Sequence, residues 1–338
     1  MQDYNTKNIK NTTIIKTIYK LTYNLFLGLL LIFCVNNQIY ANFNYKDYKE
    51  KPDILIISGP NYKKIVDSLI NYLPEQKYNL NINYLKKEES IAKIDHSIDF
   101  IITIGRESTL RTNEYLSNVA TAAPQLAVLI PHRMYNSISS ELKNNKDKLR
   151  KVTAIYREQP VDRQLKLIET LLPTAKTIGI LTSMYDQNSI NELKQEIVKT
   201  KLNLVITENK KRENLIDSLK HVLSHSDVLL ALPDPEIYNP FTSKGILVTS
   251  FRRGIPIIGY SKNYVDAGAV GAVYSKSAQI AEQAATITNS YFSKNILPPP
   301  SYPSQYSIAK NEEILNKLTL QKKRRNNILN HIPTTDIL

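Results

Sequence analysis

The chain has 338 residues, 42% of them hydrophobic, too many for one small domain and enough for two cores. Its formal charge is +13. That excess is spread along the chain apart from Lys322–Arg325, and no nucleic-acid-binding module accompanies it, so no nucleic-acid partner is indicated.

The first 41 residues carry Lys7, Lys10, Lys16 and Lys20 against Asp3, then the apolar run Leu25–Val35 and a polar Asn-Asn-Gln before Ala41. The run is eleven residues long, within the signal-peptide core of about 7–15 and short of the ~20 a spanning helix needs. The expectation is an exported, periplasmic or otherwise extracytoplasmic protein with a signal peptide, 1–41, cleaved near Ala41. An uncleaved N-terminal anchor is the alternative. Cys34 follows Phe33, where a lipoprotein site needs a small residue. It is the only cysteine, so cleavage leaves no thiol for a disulfide, a metal or catalysis.

From residue 53 onward, apolar runs alternate with helical patterns. Asp53–Gly59 reads as a buried strand and Tyr62–Leu73 as a helix closed by Pro74. Leu80–Leu85 and Asp99–Gly105 are strands, Arg106–Leu116 a helix, and Gln125–Pro131 a strand. Ala154–Pro160 leads into a helix with Val161, Leu165, Ile168 and Leu172 on one face, bounded by Pro160 and Pro173. Thr177–Ser183 is a strand, and the following helix has Ser189 and Glu192 spaced for a capping box. Strands at Asn203–Thr207, Asp227–Leu232, Ile255–Tyr260 and Gly268–Tyr274 alternate with helices near 215–223, 242–252 and 277–291. Strands apolar throughout, alternating with amphipathic helices, indicate parallel sheets covered on both faces. There are too many strands for one modest sheet, so the fold class is α/β with two lobes. Leu297–Ser304 is a stiff, proline-rich connection to a last strand and helix.

No P-loop, no dinucleotide-binding glycine pattern and no G-x-S-x-G is present. His221 and His225 are spaced to share a helix face, but no third ligand lies near them in sequence, and a pair of surface histidines is the simpler reading. Neither a metal nor a cofactor is expected. The chemistry therefore falls to the strand ends, because open parallel sheets bind ligands beyond their carboxyl edges, where helix amino termini begin. Those ends supply Ser58 and Tyr62, Arg106 and Ser108, Tyr185, Asn188 and Ser189, Asp234, and Tyr260 and Tyr264. Each also has a plainer reading. Asp234, between two prolines, suits a helix cap; Ser189 suits the capping box; Ser108 suits a first helical turn; the tyrosines suit ordinary walls.

The segments Ala154–Leu181, Asn188–Ser189, Asp227–Asn239 and Arg252–Tyr274 resemble the exported substrate-binding proteins of ABC transporters, in the branch with binders of tryptophan and other aromatic amino acids. The similarity spans roughly 54–318, with Pro160–Pro173 and Val265–Ala269 its most specific parts. It implies a type I periplasmic-binding fold of two Rossmann-like lobes joined by three crossing segments. Lobe 1 would take 42–153 and 262–293, lobe 2 154–261 and 300–318, and 319–338 would be a basic tail. By that resemblance Asn188–Ser189 opens a helix that receives a ligand carboxylate, and Asp234 faces an ammonium group. The implied protein is a non-enzymatic monomer with a small-molecule ligand, an amino acid among the candidates, that docks on membrane permease subunits served by a separate ATPase. A ligand sensor without transport, or an exported two-lobed enzyme such as a glycosyl transferase, are the rival readings.

Overall fold

The computed structural model describes residues 51–85, 94, 97–117, 123–144, 150–183, 187–209 and 214–331, without the side chains of 143–144, 187–189 and 324–331. The expected signal segment lies outside the described residues.

The first sheet holds β1 (Asp53–Ser58), β2 (Asn79–Tyr84), β3 (Phe100–Ile104), β4 (Gln125–Ile130) and β5 (Val152–Tyr156). They are all parallel, in the order β2-β1-β3-β4-β5. β3 is buried at every position, as a strand covered on both faces must be. One face packs on α1 (Lys63–Tyr72) through Ile65, Val66 and Leu69, and on α9 (Ser277–Lys294) through Ile280, Ala281, Ala284 and Ala285. The other face meets α2 (Arg106–Ser117) through Leu116 and α3 (His132–Asn144) through Met134 and Ile138.

The second sheet holds β6 (Thr177–Thr182), β7 (Asn203–Glu208), β8 (Val228–Leu230), β9 (Ile257–Gly259), β10 (Gly271–Tyr274) and β11 (Ser307–Lys310). Its order is β11-β10-β9-β8-β6-β7, and only β11 is antiparallel. α6 (Leu215–Ser224), α7 (Ser243–Arg253) and α8 (Lys262–Asp266) cover one face. α4 (Val161–Leu171), α5 (Gln187–Ile197) and Leu318 of α10 (Glu312–His331) cover the other. The architecture is α/β with two mainly parallel sheets, as the alternation of apolar runs and amphipathic helices requires.

The chain passes between the sheets three times: after β5, between β10 and α9, and between α9 and β11. The third passage is pinned to the first sheet, because Tyr156 N donates to Ser301 O (2.9 Å), Ser301 N to Ala154 O (2.9 Å) and Thr153 Oγ1 to Pro298 O (2.7 Å). Strand pairing moves two of the expected lobe boundaries. β5 pairs with β4 as far as Tyr156, so the first passage follows 156 and not 153. β10 pairs with β9, which keeps residues 262–274 with the second sheet, and the second passage follows Tyr274. The expected tail also begins inside a helix, since α10 continues to His331.

One irregularity lies near the passages. Leu129 has φ 58, a left-handed conformation that a leucine adopts only at a cost, and the β4–β5 register shifts between Val128 and Ile130. The extra residue breaks the alternation. Leu126, Val128 and Leu129 pack toward α1 and α9, whereas Ala127 and Ile130 pack toward α3.

Candidate ligand-binding cleft

The segment Arg157-Glu158-Gln159 leaves β5, a strand buried almost throughout, and enters α4 at Pro160. Its three polar side chains are tied to both lobes. Arg157 Nη2 donates to Pro233 O beyond β8 (2.8 Å) and lies 3.9 Å from Glu158 Oε1. His132 N, in the first turn of α3, donates to Glu158 Oε2 (3.2 Å). Burial pushes the Glu158 carboxyl above its ordinary value, against the opposing pull of Arg157 and the backbone bonds it accepts. Gln159 Nε2 donates to Ser275 Oγ (2.9 Å) in the second passage, and Arg163 Nη1 donates to Gln159 Oε1 (3.0 Å) and to Pro303 O (2.7 Å) in the third. The three passages are thus held to one another by side chains.

Tyr302, in the third passage, donates its hydroxyl to Glu192 Oε1 (2.8 Å) on α5. Its ring stands edge-on to Tyr156 with centroids 5.1 Å apart, and His132 lies 4.6 Å from the same ring. Burial, then the bond to Glu192, raises the Tyr302 hydroxyl far above a free phenol; burial raises Tyr156 to about 12. Both phenols stay protonated at neutral pH.

Two cavities of about 150 Å³ each open beside these passages and share Arg157, Gln159, Gln164 and Pro233 in their walls. Ile65, Leu129 and Tyr260 bound the first. His132, Thr182, Glu192, Asp234 and Tyr302 bound the second, together with Glu158. Three buried polar atoms in these walls have no hydrogen-bond partner: Arg157 Nε, His132 Nδ1 and Gln164 Oε1. Gln164 is only 2% exposed. A buried polar group left unpaired costs about 1–3 kcal/mol, and the side chains that carry these three atoms belong to the residues of the cavity walls.

The ten residues expected at strand ends are distributed unevenly. Asp234 is in the second cavity's wall, and its carboxylate is saturated: Oδ2 accepts from Thr182 Oγ1 (3.2 Å) and Ser183 N (2.8 Å), Oδ1 accepts from Glu236 N (3.1 Å), and Ser183 Oγ reaches both oxygens. No helix follows Pro235 directly, so the acid closes a turn and does not cap a helix, and the same oxygens also join the ends of β6 and β8. Tyr260 walls the first cavity and stacks on Tyr264 with centroids 5.3 Å apart. Tyr264 itself is buried in the second lobe's core. Ser58 and Ser108 are buried in the first lobe, and Tyr62 packs over Gly105, whose φ of +91 and lack of a Cβ admit the ring. Arg106 is exposed at the start of α2. None of Ser58, Tyr62, Arg106, Ser108 and Tyr264 is among the described residues that wall the two cavities. Tyr185 lies outside the described residues, as do the side chains of Asn188 and Ser189, although both backbones lie in the first turn of α5. His221 and His225 sit 4.6 Å apart on α6, away from the cleft walls.

The sequence reading missed Glu158, Arg157, Gln164, His132, Glu192 and Tyr302. The signal for the first two was present: "YREQP" puts charge directly after a fully apolar strand and before the proline that starts a helix.

Two sheet-cored lobes joined by three passages, with a cleft at the passages, define a binding protein of the type I periplasmic fold. Solved structures of that kind match the chain. An ABC domain from Streptococcus pneumoniae in complex with L-Trp is 18% identical, with TM-score 0.56, covering 80% of this chain and 95% of its own. CD0873 of Clostridium difficile, a substrate binding protein with adhesive properties in its ligand-free, open form, is 16% identical, with TM-score 0.60, over 79% and 95%. A periplasmic ribose ABC transporter structure from Conexibacter woesei is 9% identical, with TM-score 0.51, over 80% and 95%. At such identities the likeness is one of fold. No curated protein matches the chain. The chain belongs to the ABC transporter substrate binding protein family, whose sequence pattern matches residues 54–323. Membership carries with it a small-molecule ligand and an ABC transporter as partner.

Proposed function

We propose that the protein is exported and captures a small polar solute between its lobes for an ABC importer. The observation that carries this reading is the pair of cavities beside the interlobe passages, walled by polar side chains such as Arg157, Glu158, Gln159 and Gln164. A solute that bonds to both lobes stabilises the closed arrangement by its differential contacts, and hinge closure follows. The closed form docks on membrane permease subunits, with a separate ATPase supplying the energy. Export rests on the N-terminal signal pattern; among the described residues no helix is long and apolar enough to cross a membrane. Asp234 acts here through the rim it builds, and Asn188 and Ser189 at the start of α5 take the far end of the solute.

The test is a thermal-shift screen of residues 42–338 against amino acids, nucleosides, sugars and small anions and cations. A solute at 100 times its Kd adds about 2.7 kcal/mol to stability. Silence across the whole screen would overturn the reading, and recovery of a chemically altered ligand would replace it with an enzymatic one.

A further inference from the structure

The walls of the second cavity run against the composition of the chain. The protein has 44 basic and 31 acidic residues, yet three carboxylates, Glu158, Glu192 and Asp234, converge on a space of about 150 Å³. Among the described residues only Glu158 has a cation within 4 Å, and that pair is long. Asp234 is held by hydroxyls and backbone N–H groups, Glu192 by the Tyr302 hydroxyl, and Glu158 by the backbone N–H of His132. Among the described residues the nearest cationic nitrogen to any of the three is Arg157 Nη2, 3.9 Å from Glu158 Oε1, and its own short bond goes to Pro233 O. The other guanidinium in the wall, Arg133, is exposed at the rim. Partly buried carboxylates that outnumber the cations beside them repel one another, and a positive guest lowers that repulsion.

We propose that the solute is a net organic cation, an amine or guanidine, seated with its charged end toward Glu158 and Glu192, with the fastened Asp234 adding its charge to the same wall. The proposal rests on the cleft reading above and narrows it. Arg157, Gln159 and Gln164 stand in the same wall, so the guest is a cation with a polar body and not a bare alkylammonium. A neutral sugar leaves the carboxylates uncompensated, and an anion adds to their repulsion. A zwitterion whose charges cancel is the weaker match, because three acids face one another across the space.

The experiment measures thermal shift and calorimetric binding of the mature chain at pH 7 with six probes: agmatine, L-arginine, putrescine, L-tryptophan, D-ribose and citrate. The expected result is a shift with agmatine or L-arginine, a smaller one with putrescine, and at least about tenfold weaker binding of L-tryptophan, D-ribose and citrate. Cation binding should weaken as ionic strength rises. Glu158→Gln and Glu192→Gln, each checked for native circular dichroism, should each weaken the cation about tenfold or more; having two variants covers the failure of either to fold. If L-tryptophan, D-ribose or citrate binds and the cations do not, the cation assignment is overturned while the binding-protein reading stands. If none of the six binds, the assignment is likewise overturned, and the broader screen decides the fate of the parent reading. Cation binding that is indifferent to both variants also overturns it.

Discussion

Asp234 and Glu158 stand on the same cavity, each just past the end of a buried strand, and their surroundings are opposite. Asp234 follows β8, between two prolines, and takes bonds from Thr182, Ser183 and Glu236. Glu158 follows β5, in the first passage between lobes, and takes a 3.2 Å bond from His132 N and one from its own backbone, with the Arg157 guanidinium 3.9 Å away. The first acid has been used to fasten two loops together; the second has been left with capacity to spare. A carboxylate at a strand end is therefore not in itself a sign of ligand contact. The number of internal donors that reach it separates a fastening from an offer.

This contrast can be broken most directly at the fastened acid. Asp234→Ala strips the partners from Ser183 N, two hydroxyls and Glu236 N, and should lower stability by about 3 kcal/mol in urea unfolding. A loss under about 1 kcal/mol would mean that the rim does not depend on it. Tyr302→Phe is the intermediate case. It removes one hydroxyl and leaves Glu192 without its donor while keeping the ring against Tyr156, so a loss of about 1–1.5 kcal/mol is expected from the same assay. The smallest effect, and the one with a pH signature, belongs to Glu158→Gln. Burial raises this carboxyl in the folded protein, so between its unfolded and folded values the native state holds the proton more tightly. Stability contributed by this group is therefore present below the unfolded value and is lost as pH rises through the folded one. The variant, which cannot ionise, should gain on the wild type as pH rises from 4 to 7. A difference independent of pH would show that Glu158 is compensated after all.

The fold was largely legible because its information is local. Runs such as Phe100–Ile104 have no polar face, and α1 and α4 have one apolar stripe each, so strand and helix could be read residue by residue. α3 was overlooked, although Met134, Ile138 and Leu142 recur at helical spacing, because serines and asparagines dilute the stripe. The lobe boundaries were set by pairing, which no local pattern records: Gly271–Tyr274 looks the same whichever sheet receives it. The site was legible only in part for a related reason. Asp234 announces itself by the two prolines beside it. The Tyr302–Glu192 bond joins residues 110 apart, and Gln164 looks like any polar position on an amphipathic helix until its surroundings show that it is buried. The bulge at Leu129 left no trace at all, since leucine is an improbable residue for a left-handed turn.

That bulge has an arithmetic consequence. A strand keeps its two faces apart by parity, and one added residue inverts the parity of everything that follows until the strand ends. Ile130, Pro131 and His132 therefore meet the passages with the opposite handedness from that which Leu126–Val128 would dictate, and it is with this orientation that His132 N reaches Glu158. Excising one codon at position 129 would leave every strand in place and turn the mouth of the cleft inside out.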